Sequence, residues 1–338
     1  MNDVFNNRLR QILLLLLIIL LALILFKEIY IFVPGFLGAL TLYILQRQYF
    51  FYLTFKKKWN KALAASIFLL ASLILIAIPI YFSIQLISNK VSEILNNTSD
   101  IVEKAKIIQA KVQASYGINL FNEQNILEFE KQAKAFIPMV LNNSANILSN
   151  FAIMFFLQYF LLVNGREVEK FLNGFIPLKE ENVTMLARET KNMIKSNAIG
   201  IPILAVIQGI VATTGYWFFK VDDFILWGFL TGVCSIIPVI GTAIIWIPLT
   251  AYFFAIDNTG GGIGLLLFSV IILTNIDNVA RLTILKKLID VHPLITIFGV
   301  IIGISLFGFW GVIFGPLLIS YFIILLKIYS NEFGKATI

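Results

Sequence analysis

Reactive side chains are scarce in this sequence. Its 338 residues include one cysteine, Cys234, and one histidine, His292. A lone cysteine excludes an intrachain disulfide, and a lone histidine with no second imidazole or thiol to help it builds no metal site. No Gly-x-x-x-x-Gly-Lys-Ser/Thr loop occurs, so the chain carries no P-loop nucleotide site of its own. Charge is scarce as well, at 13% of residues against 59% hydrophobic. With so few acids and bases there is little from which to assemble an acid–base pair. The chain is read as a non-enzyme without a cofactor.

What remains is dominated by apolar runs, several longer than the roughly 20 residues that cross a bilayer. Mean hydropathy is +0.89. The fold class is therefore all-α, a polytopic membrane protein. A net charge of +7 would suit an acidic partner in general, but its placement beside apolar runs points to the lipid bilayer and not to nucleic acid.

Two runs do not fit ordinary spans. Phe224–Ile256 and Leu294–Leu326 each hold 33 residues without a charge. A straight helix of that length would run about 50 Å through about 30 Å of hydrocarbon, while two full crossings would need about 40 residues. Pro238 and Gly241 interrupt the first run near its middle, and Gly308, Gly311, Gly315 and Pro316 interrupt the second. Proline removes a helix hydrogen bond and glycine tolerates a sharp turn. Each run is expected to form a re-entrant hairpin of two half-helices, its turn facing a cavity within the protein. Two long, tilted spans with packing glycines are the alternative. Paired, interrupted segments of matched length are also the pattern that marks a transporter's solute site.

Taken in order, residues 1–86 hold three apolar helices, split by the basic, aromatic loop Arg47–Lys61. Residues 87–146 read as an extramembrane region of amphipathic helices, because Ile87, Val91, Ile94, Thr98, Ile101, Ala105, Ile108 and Val112 repeat at heptad spacing. A single span, 147–163, leads to a polar connector, 164–195, and then to a transport core, 196–338. The total is about six full spans plus the two broken hairpins. Placing both termini, Arg47–Lys61, 164–195 and 278–292 in the cytoplasm gathers 18 of the 26 Lys and Arg there, as the positive-inside rule asks. The first hairpin would then enter from outside and the second from inside.

At this point the motifs converge. Gln208-Gly209, Ser235-Ile-Ile-Pro238-Val-Ile-Gly241, Asp277-Asn278, His292-Pro293 and Leu306-Phe-Gly308-Phe-Trp-Gly311-Val-Ile-Phe-Gly315-Pro316 together resemble the autoinducer-2 exporter family of bacterial membrane proteins, within the permease group. Their order and spacing match from about Ser196 to Tyr329, and the N-terminal half matches more loosely. The chain departs from the family at Lys220–Asp223, where a Gly and Pro are common, and at Leu282, where a proline commonly follows the Asp-Asn pair. The resemblance implies export of a small polar signalling molecule such as autoinducer-2 across the inner membrane, without ATP hydrolysis. In some members it implies sodium–proton exchange instead. Homo-oligomers are implied too, for which Gly228-x-x-x-Gly232 and Gly299-x-x-x-Gly303 offer small-residue faces.

Candidate pathway residues cluster on these motifs. Gln208, Ser235, Pro238, Gly241 and Thr242 belong to the first hairpin and its neighbour, and Gly308 and Gly311 to the second. Uncharged groups of this kind exchange hydrogen bonds with a neutral, hydroxylated solute as it sheds water. Asn275, Asp277 and Asn278 end the span between the hairpins. Asp277 is the candidate carrier if the cargo is a monovalent cation or proton, because a carboxylate at membrane depth is costly to keep. Its structural alternative is a helix-end pairing with Arg281.

Overall fold

A computed structural model describes residues 2–96, 123–176, 178–237, 240–280 and 293–333. Among these residues every regular element is helical: α1 (Asn2–Tyr30), α2 (Val33–Phe51), α3 (Lys61–Asn96), α4 (Glu123–Phe175), α5 (Glu180–Phe218), α6 (Phe224–Cys234), α7 (Ala243–Ala255), α8 (Thr259–Phe268), α9 (Thr274–Ala280), α10 (Pro293–Phe307) and α11 (Gly311–Phe333). Among the described residues six stretches are long and apolar enough to cross a membrane: Arg10–Tyr30, Lys61–Ser88, Ala145–Gly174, Glu180–Phe218, Thr259–Ile276 and Leu294–Ser330. The last of these turns at Gly308–Trp310, and α6 and α7 are shorter apolar helices.

Three helices run through the segment boundaries expected from sequence. α3 continues past Leu86 to Asn96, α4 crosses both ends of the 147–163 span, and α5 joins the polar connector to the fifth span without a break. The reason is local. No glycine or proline lies between Tyr81 and Asn96, and only Gly200 lies between Glu180 and Ile201, so nothing stops propagation where hydropathy changes. Glu180 and Glu181 also sit in the first turn of α5, where carboxylates complement the helix dipole. Most of the Ile87–Val112 heptad lies outside the described residues.

α2, α3 and α4 form one packed unit. α2 and α4 run parallel: the Gly35 amide donates to Asn150 Oδ1 (3.0 Å) near one end, and Tyr43 and Arg47 reach Glu169 near the other. A Cβ on Gly35 would lie 2.7 Å from the Asn150 carbonyl oxygen, so this approach requires glycine. α3 is tied in by three polar side chains. Gln46 Nε2 and Gln158 Nε2 donate to Ser72 Oγ at 2.6 and 2.7 Å, and Gln158 also donates to Gln46 Oε1 at 2.8 Å. Within apolar surroundings such bonds fix which helices pair and in what register.

α5 is the spine of the remainder. Its buried residues (Ile194, Asn197, Gly200, Leu204, Gln208, Ala212 and Tyr216 among them) recur at three- and four-residue intervals. The first half of α5 packs on α2 and α11, the second on α6 and α8. α1 differs from all of these: from Arg10 to Tyr30 its side chains are exposed, and its apolar stretch has no buried residue.

Candidate functional site

The first interrupted run folds back on itself. α6 packs antiparallel on α5, with Gly228 against Thr213 and Gly232 against Ala205: a Cβ on Gly228 would lie 2.7 Å from Thr213 Cα, and one on Gly232 2.5 Å from the Ala205 carbonyl oxygen. After Cys234 the helix ends. The Ile237 amide bonds the Cys234 carbonyl (2.9 Å) and the Gly241 amide bonds that of Ile237 (3.1 Å). Gly241 is buried, and any Cβ there would overlap the Cys234 carbonyl. α7 then returns. Its Phe253 and Phe254 abut Gly261 and Gly262 at the start of α8, while Gly264 lies against Phe219, where α5 ended. The end of α7 and the start of α8 thus lie beside the end of α5. Asn258 caps α8 there by accepting from the Gly261 amide (3.0 Å). α8, a π-helical turn (Ser269–Leu273) and α9 then descend along α5, bringing the Leu273 carbonyl to Gln208 Nε2 (3.5 Å).

The second run folds back from the opposite end. α10 and α11 are antiparallel and joined by a 3-10 turn, Gly308–Trp310, with Gly308 at φ +59°. This is the left-handed region that glycine occupies without cost. The arms meet closely at Gly299 and Gly303. A Cβ on Gly299 would lie 2.5 Å from Pro316 Cα, and one on Gly303 2.7 Å from Gly315 Cα. The small-residue faces of both runs are therefore consumed inside the chain. Trp310 packs on Gly38 and Met154, which seats this turn against α2 and α4.

α5 measures the depth of the two turns. Asn197 Nδ2 donates to the Ile313 carbonyl (3.2 Å), and Thr190 bonds Tyr321 one helical stretch earlier, so α11 is antiparallel to α5. Counting two residues back from Ile313 to Gly311, and two on from Gly232 to the end of α6, brings both turns level with Ile199–Leu204 of α5. Pro202 lies in that stretch and has no amide to give, which frees the Ala198 carbonyl. Neither Pro202 nor Ser196 and Asn197 was singled out in the sequence; the signal was a proline inside a polar-flanked span.

The remaining candidates divide. Gln208 is fully buried, and among the described residues its Oε1 accepts no hydrogen bond and the buried Oγ of Ser269 and Ser196 likewise lack partners. Such orphans are costly in an apolar interior and call for a polar visitor or water. Ser235 is buried and donates to the Gly232 carbonyl (2.7 Å), and Thr242 is buried beside Gly241. Gly311 is packed on Gly303, whereas Gly308 faces open space. Asn275 is exposed and bonds its own helix at the Ile271 carbonyl (2.6 Å). Asp277 and Asn278 lie on α9, with their side chains outside the described set, as are Pro238, Arg281 and His292.

Residues 13–331 match the profile described as "AI-2E family transporter". The chain belongs to this family. As an AI-2E family transporter it is a multi-pass membrane protein that moves a solute, and not an enzyme. Its relatives include a "Putative transport protein" of Helicobacter pylori (strain J99), 24% identical over 298 residues, 82% of this chain and 84% of the relative. Another, of the same printed name, is from Aquifex aeolicus: 28% identical over 174 residues, 52% of this chain and 49% of the relative. A third, from Methanocaldococcus jannaschii, is 23% identical over 279 residues, 78% of this chain and 81% of the relative.

Proposed function

We propose that this AI-2E family transporter is a secondary exporter of a small, neutral, hydroxylated solute of the autoinducer-2 kind, working in the inner membrane with both termini in the cytoplasm. The solute site lies between the Ser235–Thr242 and Gly308–Gly311 turns, which act as re-entrant hairpins entering from opposite faces. One observation carries the reading: both turns come level with Ile199–Leu204 of α5, beside the buried, partly unpartnered Gln208. Irregular backbone at membrane depth is stable only against protein or a wet cavity, and turns at one depth offer their amides and carbonyls to a single solute. A homo-oligomer fits the bare apolar surface of α1.

A second reading is monovalent cation–proton exchange through Asp277. It draws on the π-helical turn Ser269–Leu273 just ahead of that residue, a distortion often found at functional sites. Proteoliposomes separate the two. Efflux of a labelled small polyol, independent of Asp277→Asn, supports the exporter; cation-driven proton flux abolished by Asp277→Asn supports the exchanger. Flux of neither overturns both.

A further inference from the structure

The loop between α2 and α3 meets the end of α4 in a cluster remote from the two turns. The Arg166 guanidinium stacks on the Phe55 ring at 3.5 Å from its centroid, and the Lys61 ammonium lies over the same ring at 5.9 Å. With Asn164 and Glu167 these side chains line a small pocket. A guanidinium stacked on an aromatic face keeps its N–H bonds in plane, so its edge remains a donor array suited to two phosphate oxygens. Arg166 makes no salt bridge at contact distance among the described residues. The nearby Glu169 carboxylate feels the Arg166 charge but is bonded by Arg47 and Tyr43.

The loop is built and not frayed. A π-helical turn, Tyr52–Lys56, closes with Lys57 bonded to the Tyr52 carbonyl (3.2 Å) and Trp59 to that of Leu53 (3.1 Å). Lys58 is held at φ +57°, a conformation unfavourable for a residue with a Cβ. The outcome is three further exposed cations, Lys56, Lys57 and Lys58, beside the pocket.

An apolar track leads away from it. Leu63, Ile67 and Leu70 lie along α3 at 65%, 50% and 56% exposure, one or two turns apart on one side of the helix. Exposed Tyr52 and Trp59 flank its upper end, where amphipathic rings favour the headgroup layer. Basic pockets between membrane helices with this surround hold anionic lipid headgroups.

We propose that Arg166, Lys61 and Asn164 bind the phosphodiester of an anionic phospholipid, with an acyl chain laid along Leu63, Ile67 and Leu70. The ligand is a lipid and not free phosphate on two grounds. The Glu167 carboxylate in the lining repels a dianion more than a monoanionic diester, and the apolar track serves only a lipid.

The test is native mass spectrometry of the purified full-length protein in detergent, titrated with phosphatidylglycerol, phosphatidylcholine or inorganic phosphate. Wild type is expected to retain phosphatidylglycerol in preference to phosphatidylcholine. Arg166→Gln/Lys61→Gln is expected to lose affinity for it by about tenfold or more, and Lys220→Gln at the far end of the bundle to lose none. Equal retention of phosphatidylglycerol by wild type and the double variant would overturn the proposal. So would phosphatidylcholine binding as tightly, or displacement of the lipid by millimolar phosphate. Should the double variant fail to fold, the wild-type preference between the two lipids decides, with Arg166→Lys, which keeps the charge but not the planar stack, giving an intermediate value if the site is correct.

Discussion

Gly303 and Gly315 hold the two arms of the second hairpin so close that a Cβ on Gly303 would stand 2.7 Å from Gly315 Cα. Backbone on both sides cannot yield as a side chain would. Gly303→Ala should therefore destabilise the protein by about 1–3 kcal/mol or more. Gly308→Ala meets open space and costs only the positive φ, about 1–2 kcal/mol. Thermal unfolding of the two variants in detergent should rank them in that order; equal midpoints would mean that the arms part freely.

Gln208 separates structural from functional roles. Among the described residues its side chain makes one long 3.5 Å contact, to the Leu273 carbonyl, and its Oε1 has no partner. Replacing such a group by an apolar one of similar shape is close to neutral for stability. Gln208→Leu should thus fold as well as wild type, with a midpoint unchanged or raised, yet lose at least about tenfold in transport rate, the equivalent of one ~1.4 kcal/mol contact to solute. Normal flux through a folded Gln208→Leu protein would remove this residue from the pathway.

The two interrupted runs were legible because length, charge and Pro-Gly content all bear on whether a helix can cross a bilayer. The fold-back at Gly308 and the irregular stretch around Gly241 followed from that arithmetic. Pro202 was not singled out, since a proline in a long span often only kinks it, and its depth relative to both turns depends on packing. Asn275 is a pathway candidate by position, and its amide bonds the Ile271 carbonyl one turn back, a contact that spacing does not reveal. The Gly228 and Gly299 motifs read as faces for another subunit; proximity inside the chain spends them on α5 and α11. Spacing alone cannot tell an internal from an external partner.

Arg47 and Glu169 belong to distant parts of the sequence, which is why their bidentate pair, with Tyr43 as a third member, was unreadable beforehand. Both side chains are 38% exposed, so screening keeps the coupling small. A double-mutant cycle of Arg47→Gln and Glu169→Gln should give about 1 kcal/mol of interaction in thermal or denaturant unfolding. A coupling near zero would mean the two groups stabilise the helix pair independently.

Lys220 occupies φ +56° in the turn between α5 and α6, a backbone conformation that glycine adopts without strain. A side chain there costs about 1 kcal/mol or more. Lys220→Gly should raise the unfolding midpoint, with transport unchanged. A lowered midpoint would show that the lysine makes a compensating contact.

The depth of the two turns in a bilayer tests the central claim most directly. Spin labels on Ile240→Cys and Phe309→Cys, both at exposed positions, in a Cys234→Ala background, report depth through their relative accessibility to oxygen and to a polar nickel complex in proteoliposomes. Both labels are expected near the middle of the hydrocarbon, within about 5 Å of one another in depth, the rise of three to four helical residues. A label at the headgroup level in either turn, or a separation of about 15 Å, half the hydrocarbon thickness, would contradict a shared site.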